Sequence, residues 1–185
     1  MAFFQPDATL RAYYDLTPAY LAARGITVLL LDIDNTLAPY EQPVPDERLI
    51  AWLASFKEAG ITVGFLSNNH GERVSLFNES LGLPYLCNAH KPLPRKAKKL
   101  IKALGGTPKS ACLMGDQIFT DVCCARLCRA HAVLVPPIWD KRDGLTRFKR
   151  RLERGPLRRY YKTHKDAPDI RLGNPITEEI REMMK

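Results

Sequence analysis

Leu29-Leu30-Leu31-Asp32-Ile33-Asp34-Asn35-Thr36-Leu37 is the stretch on which the reading of this chain turns. The residues leading into it, Ile26 to Leu31, form a nearly continuous apolar run rich in β-formers. That is the composition of a strand buried on both faces, the situation of a central strand in a parallel sheet. At its carboxyl end the character reverses, and two carboxylates and a hydroxyl follow within five residues. In open α/β sheets, ligands bind beyond the carboxyl ends of the strands. The motif therefore predicts both a fold and the rim on which its chemistry lies.

Downstream the same alternation repeats. Val44-Pro45-Asp46 opens a helix that runs to about Ala59, and Gly60 stops it. Ile61 to Leu66 is a second buried strand. Glu72 to Leu81 reads as a helix, Tyr85 to Cys87 as a short strand, and Leu93 to Leu104 as a helix with its lysines outward. Ala111 to Met114, Ile118 to Arg129 and Ala132 to Val135 give strand, helix and strand. Such alternation implies right-handed βαβ units, hence an α/β, three-layer Rossmann-like domain with a central parallel sheet. Residues 1–25 read as a helical extension, 26–140 as the main domain, 141–165 as a basic amphipathic extension and 166–185 as a loosely ordered tail with a short helix after Thr177.

The strand ends supply a consistent set of groups. The first delivers Asp32, Asp34 and Thr36, the second Ser67-Asn68-Asn69, the third His90-Lys91-Pro92, and the fourth Gly115-Asp116-Gln117 followed by Thr120-Asp121. A carboxylate can attack phosphorus and split a hydrolysis into two steps. A second carboxyl can protonate the leaving oxygen and later activate water. Lys91, Ser67 and Mg²⁺ can bind the charge of the transferring group. Mg²⁺ takes oxygen ligands and keeps several waters, so a few carboxylates suffice. A lone Asp at a strand end is ordinarily a cap or turn residue. Four such groups in order, each after an apolar strand, are not accounted for that way.

This order and spacing resembles the haloacid dehalogenase (HAD) superfamily from about Ile26 to Val135. The resemblance implies that Asp32 is the nucleophile and Asp34 the acid/base. It implies that Thr36 steadies the motif loop and, with Ser67, Asn68 and Lys91, serves the phosphoryl group. It further implies Mg²⁺ held by Asp32, the backbone carbonyl of Asp34, and Asp116, with Asp121 in support. The intervals Thr36–Ser67 and Ser67–Lys91 have no room for a cap domain, which suits a phosphate presented on a large body. Beyond the motifs, Leu66-Ser67-Asn68-Asn69, Gly115 to Asp121 and Pro137-Ile138 with an Arg-rich helix resemble the IIIA-type YqeG phosphatases. These are related to the mitochondrial phosphatidylglycerophosphate phosphatase, and the likeness implies that lipid as substrate. Cys123 to Arg129 departs from the Gly/Asn-rich pattern expected there.

Charge is concentrated. The net charge is +8, yet Lys141 to Lys165 holds eleven basic residues and two acids, so the remainder is close to neutral. Leu145, Phe148 and Leu152 fall on one helical face among Arg and Lys, Gly155-Pro156 is expected to break the helix, and Tyr160-Tyr161 follow. A basic amphipathic helix suits an anionic membrane surface. Packing of that apolar face on the sheet is an equal alternative, and nucleic-acid binding a third. Five cysteines without metal-ligand spacing, no long apolar run and no basic leader point to a reduced, cytoplasmic protein, peripheral at the inner membrane face if the basic helix binds there. Other readings are a phosphatase of nucleic-acid ends or phosphoproteins, or a basic binding module without catalysis.

Overall fold

The structure, a computed structural model, describes residues 3–139 and 144–170, and for 144–150 the backbone alone. Six strands form one sheet: β1 Ala8–Thr9, β2 Val28–Leu31, β3 Thr62–Leu66, β4 Tyr85–Leu86, β5 Ala111–Gly115 and β6 His131–Leu134. Their order is β1-β6-β5-β2-β3-β4, and every neighbouring pair is parallel. The chain winds outward from β2 to β3 and β4 on one side and returns to build β5 and β6 on the other. The switch point thus lies between β2 and β5, as the sequence pattern requires of a Rossmann-like sheet.

Helices α1 Pro18–Ala22, α2 Glu47–Glu58, α3 Gly71–Asn78, α4 Arg95–Ala103, α5 Cys123–Cys128 and α6 Gly144–Thr163 complete the layers. Alternation along β2 explains why both faces are covered. Leu29 and Leu31 join one core cluster with Trp52, Leu53 and Phe56 of α2 and Val74 and Phe77 of α3. Val28 and Leu30 point the other way, toward Leu100 and Ile101 of α4, Cys124 and Cys128 of α5 and Leu157 of α6. Each large apolar side chain so buried contributes roughly 1.5–3 kcal/mol. The Asp46 carboxylate caps α2 by accepting from the Leu49 N–H at 2.8 Å, which starts that helix where the sequence predicts. The interval between β2 and β3 holds a loop and α2, and that between β3 and Lys91 holds α3 and β4.

Several expectations are revised. Residues 1–25, read as helical turns, also supply the edge strand β1. Its backbone is tied to β6 by Asp7 N–H to Ala132 O at 2.8 Å and Leu10 N–H to Leu134 O at 3.0 Å. Two residues carry too short a pattern for a strand to be seen in sequence. The helix expected from Ile118 begins as a π-helical turn, Ile118–Val122, before α5. Helix α6 runs through Pro156 rather than breaking there. One missing N–H is outweighed by the packing of Leu157 and Tyr160, which are 9% and 1% exposed. The inward face of α6 is Glu153-Leu157-Tyr160, spaced i, i+4, i+7, while Leu152 is exposed. Tyr160, read as an interfacial aromatic, is buried and stacks on His164 with centroids 4.2 Å apart. The side chains of Leu145 and Phe148 lie outside the described residues, as do 171–185 and the helix expected after Thr177. Residues 166–170 are held in place: Thr9 Oγ1 and Tyr161 Oη both donate to Pro168 O, at 2.9 and 3.1 Å. Among the described residues, no helix is long and apolar enough to cross a membrane.

Candidate active site

The pairing of Leu31 with Phe65 on one side and Met114 on the other brings the chain segments after β2, β3 and β5 out of the sheet nearly level. Asp32 leaves β2 beside Gly115, and its backbone N–H donates to Met114 O at 3.0 Å. Lys91 arrives from the third strand end through His90, which is in the left-handed region, and a cis Lys91–Pro92 bond. Its Nζ lies 2.6 Å from Asp32 Oδ1 and 2.6 Å from Asp121 Oδ1. Asp32, Asp116 and Asp121 are all buried and offer carboxylate oxygens within 4.8 Å of one another. Gly115 is what permits this approach. A Cβ there would stand 2.1 Å from Asp121 Cγ.

The electrostatics follow from the count. Three buried carboxylates face one ammonium, which leaves excess negative charge in a desolvated place. Burial pushes the Asp32 carboxyl up to about 8; Lys91 pulls it down, and Asp121 and Asp116 push it further up. Burial would lower the Lys91 ammonium, but the Asp121 and Asp32 carboxylates outweigh it and the net shift is upward. Lys91 therefore stays charged, and the surplus carboxylate takes a proton or a cation. Buried oxygens in excess of their counter-charge are the donor set of a hard divalent ion, so these residues fit one.

The remaining predicted residues surround this cluster. The Ser67 hydroxyl, buried at the end of β3, accepts from the Asn69 N–H at 3.0 Å. The Asp34 carboxylate is not in the cluster but turns to the α3 side. Its Oδ2 accepts from Asn69 Nδ2 at 3.1 Å, and Arg73 Nε lies 3.3 Å from its Oδ1. Its place among metal ligands thus rests on the backbone carbonyl alone. Thr36 and Asn68, both expected to serve the phosphoryl group, lie beside the cluster. Thr36 is fully buried, with its hydroxyl 3.5 Å from Asp116 Oδ1, and so supports that carboxylate. The Asn68 side chain holds the Lys91 backbone at both ends, accepting from its N–H at 2.7 Å and donating to its carbonyl at 3.2 Å.

Of the partners of Asp34, sequence reasoning brought Asn69 to the rim without a role and missed Arg73. Arg73 also donates to Pro39 O and Pro43 O at 3.4 and 3.3 Å, pinning the loop after the first motif. Nothing in a single arginine on a surface helix announces that role. Glu153 was missed too: its Oε1 accepts from the Ile118 N–H at 2.8 Å, at the start of the turn between Asp116 and Asp121. Cys123, Cys124 and Cys128 are buried free thiols, as expected of small core side chains.

No protein-family model matches the chain. The chain is 35% identical over 152 residues to the probable phosphatase YqeG of Bacillus subtilis, covering 82% of this chain and 88% of that protein. In fold it resembles an uncharacterised protein of Listeria monocytogenes, with a TM-score of 0.51 and 17% identity over 64% of this chain and 85% of the other. A cobalt-bound deoxy-D-mannose-octulosonate 8-phosphate phosphatase of Haemophilus influenzae is more distant, at a TM-score of 0.48 and 16% identity, covering 60% and 69% of the two chains.

Proposed function

We propose a mechanism and a substrate from one premise: the chain belongs to the YqeG-like phosphatases of the HAD superfamily. Asp32 attacks the phosphorus of a phosphomonoester, a new P–O bond forms to its carboxylate, and the bond to the leaving oxygen breaks. Asp34 gives that oxygen a proton. It then takes one from the water that cleaves the aspartyl-phosphate, releasing inorganic phosphate and restoring Asp32. Lys91 and Ser67 hold the phosphoryl oxygens. Asp32, Asp116 and Asp121, with the Asp34 carbonyl, would hold Mg²⁺, which would supply positive charge to the transferring group. Asn69 and Arg73 aim the Asp34 carboxylate until substrate arrives. The observation that carries this reading is the ammonium of Lys91 set 2.6 Å from both Asp32 and Asp121 beside a third buried carboxylate.

The substrate is phosphatidylglycerophosphate, hydrolysed at an anionic membrane surface. Three features support this. The intervals on either side of β3 hold only short secondary structure, so a bulky substrate can approach the rim. The exposed face of α6 carries Arg151, Arg154, Arg158, Arg159 and Lys162, and its acid Glu153 is turned inward. Each basic residue near such a surface contributes about 1 kcal/mol. Phe3 and Phe4, both 44% exposed, form an edge-to-face chain that ends on Phe119 of the turn between Asp116 and Asp121. Exposed aromatic rings and a basic helix face each suit the boundary between headgroups and acyl chains. The likeness to the mitochondrial enzyme noted from the motifs points to the same lipid.

The test is phosphate release with Mg²⁺ from phosphatidylglycerophosphate in anionic vesicles, from a 5′-phosphorylated oligonucleotide and from a phosphopeptide. The lipid is expected to be turned over fastest, with vesicle binding lost at high salt. Faster release from the oligonucleotide or the peptide would replace the lipid assignment. Asp32→Asn is expected to lower turnover roughly 10³-fold or more while leaving the fold unchanged; retained activity would remove Asp32 as nucleophile.

A further inference from the structure

Helix α6 reaches the catalytic loop with an acidic side chain. Within a segment otherwise rich in Arg and Lys, Glu153 is only 4% exposed. Burying a carboxylate is unfavourable by several kcal/mol unless hydrogen bonds satisfy it. Here one satisfying donor is the Ile118 N–H, 2.8 Å from Oε1, the first N–H of the π-helical turn. That N–H belongs to the turn linking Asp116 to Asp121. The neighbouring Gln117 N–H donates to Asp121 Oδ2 at 3.1 Å, and Gln117 O accepts from the Asp121 N–H at 2.9 Å. Thr120 Oγ1 adds a third bond to the turn, donating to Asp121 Oδ2 at 3.1 Å. Gln117 and Ile118 are therefore fixed from two directions, by Asp121 within the loop and by Glu153 from outside it.

We propose that Glu153 is a positioning residue for the metal-holding carboxylates, so that α6 is a working part of the site as well as the bearer of the basic face. The proposal rests on the reading of Asp32, Asp116 and Asp121 as divalent-ion ligands. With Glu153 in place, the peptide between Gln117 and Ile118 is pinned and Asp121 keeps its reach to Lys91 and to the ion. Without an acceptor, the Ile118 N–H seeks water, the turn loosens, and Asp116 and Asp121 lose their fixed separation. Outer partners of this kind typically set metal affinity within a factor of 10–100. A tether that merely glued α6 to the domain would act on stability and leave affinity alone.

The experiment is Mg²⁺ and Mn²⁺ titration of the full chain by calorimetry, with a melting curve for each variant. Glu153→Ala is expected to weaken binding roughly tenfold or more. Glu153→Gln, which keeps an oxygen acceptor for Ile118, is expected to stay within about threefold of the parent. Leu157→Ala loosens α6 through its buried face while leaving the Glu153–Ile118 hydrogen bond in place, and should lower the melting temperature with affinity unchanged. If Glu153→Ala does not fold, Glu153→Asp takes its place; it keeps the charge, shortens the reach by one methylene, and should weaken binding where Glu153→Gln does not. Equal losses for Glu153→Ala and Leu157→Ala, or unchanged affinity in Glu153→Ala, would overturn the proposal and leave the metal site standing. Absence of binding by the parent protein would overturn the metal reading, and this inference with it.

Discussion

Gly115→Ala puts one methyl group where the active site has no room for it. The ideal Cβ would lie 2.1 Å from Asp121 Cγ and 2.5 Å from both its Cβ and Oδ2. Asp121 would have to withdraw by roughly 1 Å, a misplacement that can lower turnover about 100-fold. It has nowhere to go without loss. Its Oδ1 is 2.6 Å from Lys91 Nζ, and its Oδ2 accepts from Gln117 N–H and Thr120 Oγ1, both at 3.1 Å. Gly115 is not among the glycines with positive φ, so the backbone itself tolerates alanine and the effect is purely one of contact. Overpacking of this size lowers stability by about 1–3 kcal/mol, which leaves the chain folded. The assay is steady-state hydrolysis of p-nitrophenyl phosphate at saturating Mg²⁺, with circular dichroism to confirm the fold. Gly155→Ala, where a Cβ meets nothing within 4 Å, serves as the silent control. Activity of Gly115→Ala within twofold of the parent would refute the geometry of the site.

Lys91→Met removes the cation shared by Asp32 and Asp121. It should lower stability by about 3–5 kcal/mol, because uncompensated buried charge is left behind, and a chemical denaturation curve measures the loss. Adding Mg²⁺ should recover part of that stability and none of the activity. His131 gives a pH prediction away from the site. Burial lowers its pKa below 6.5, against the Asp7 carboxylate and with help from Arg24 and Arg126, while its Nε2 pairs with Tyr20 Oη at 3.0 Å. A histidine kept neutral by folding contributes stability that is fully present above the unfolded value of about 6.5 and lost as pH falls through the lower folded value. The melting temperature of the parent should therefore fall more steeply than that of His131→Gln between about pH 6.5 and 5. Parallel curves would show that the imidazole is not the group concerned.

How much of this was legible in the sequence depended on whether the signal was local. The buried strands β2, β3 and β5 were plain, because runs such as Val28 to Leu31 admit few other placements. With the strands in hand, topology alone puts Asp32, Ser67, Lys91 and Asp116 on one rim. The helical period likewise located α2 and its Asp46 cap. What escaped were pairings between distant segments. Asp34 meets Arg73 across 39 positions, and Ile118 meets Glu153 across 35. Neither partner carries a mark that separates it from an ordinary surface charge. The inward residue of α6 was hidden for a related reason. Leu152 and Glu153 differ by one step, about 100° of helix rotation, and of the two it is Glu153 that turns inward while Leu152 is exposed. A buried N–H needed an acceptor there, and a carboxylate serves it where a leucine cannot.

The same preference for satisfied charge over apolar packing governs the centre of the molecule. Asp32, Asp116 and Asp121 would be safer individually as leucine or asparagine, since each is buried and Lys91 is set against both Asp32 and Asp121. A chain selected for stability alone would not retain such a cluster, because buried charges of one sign repel and are poorly solvated. Retention makes sense when the surplus is balanced by something that comes and goes. In the free protein that is the proton on Asp32, whose pKa is raised to about 8. A divalent ion held by Asp32, Asp116 and Asp121 would supply the same balance in place of that proton. On the proposed mechanism, in which Asp32 is the nucleophile, the imbalance that weakens the folded domain is what would leave an Asp32 oxygen unprotonated beside the charged Lys91.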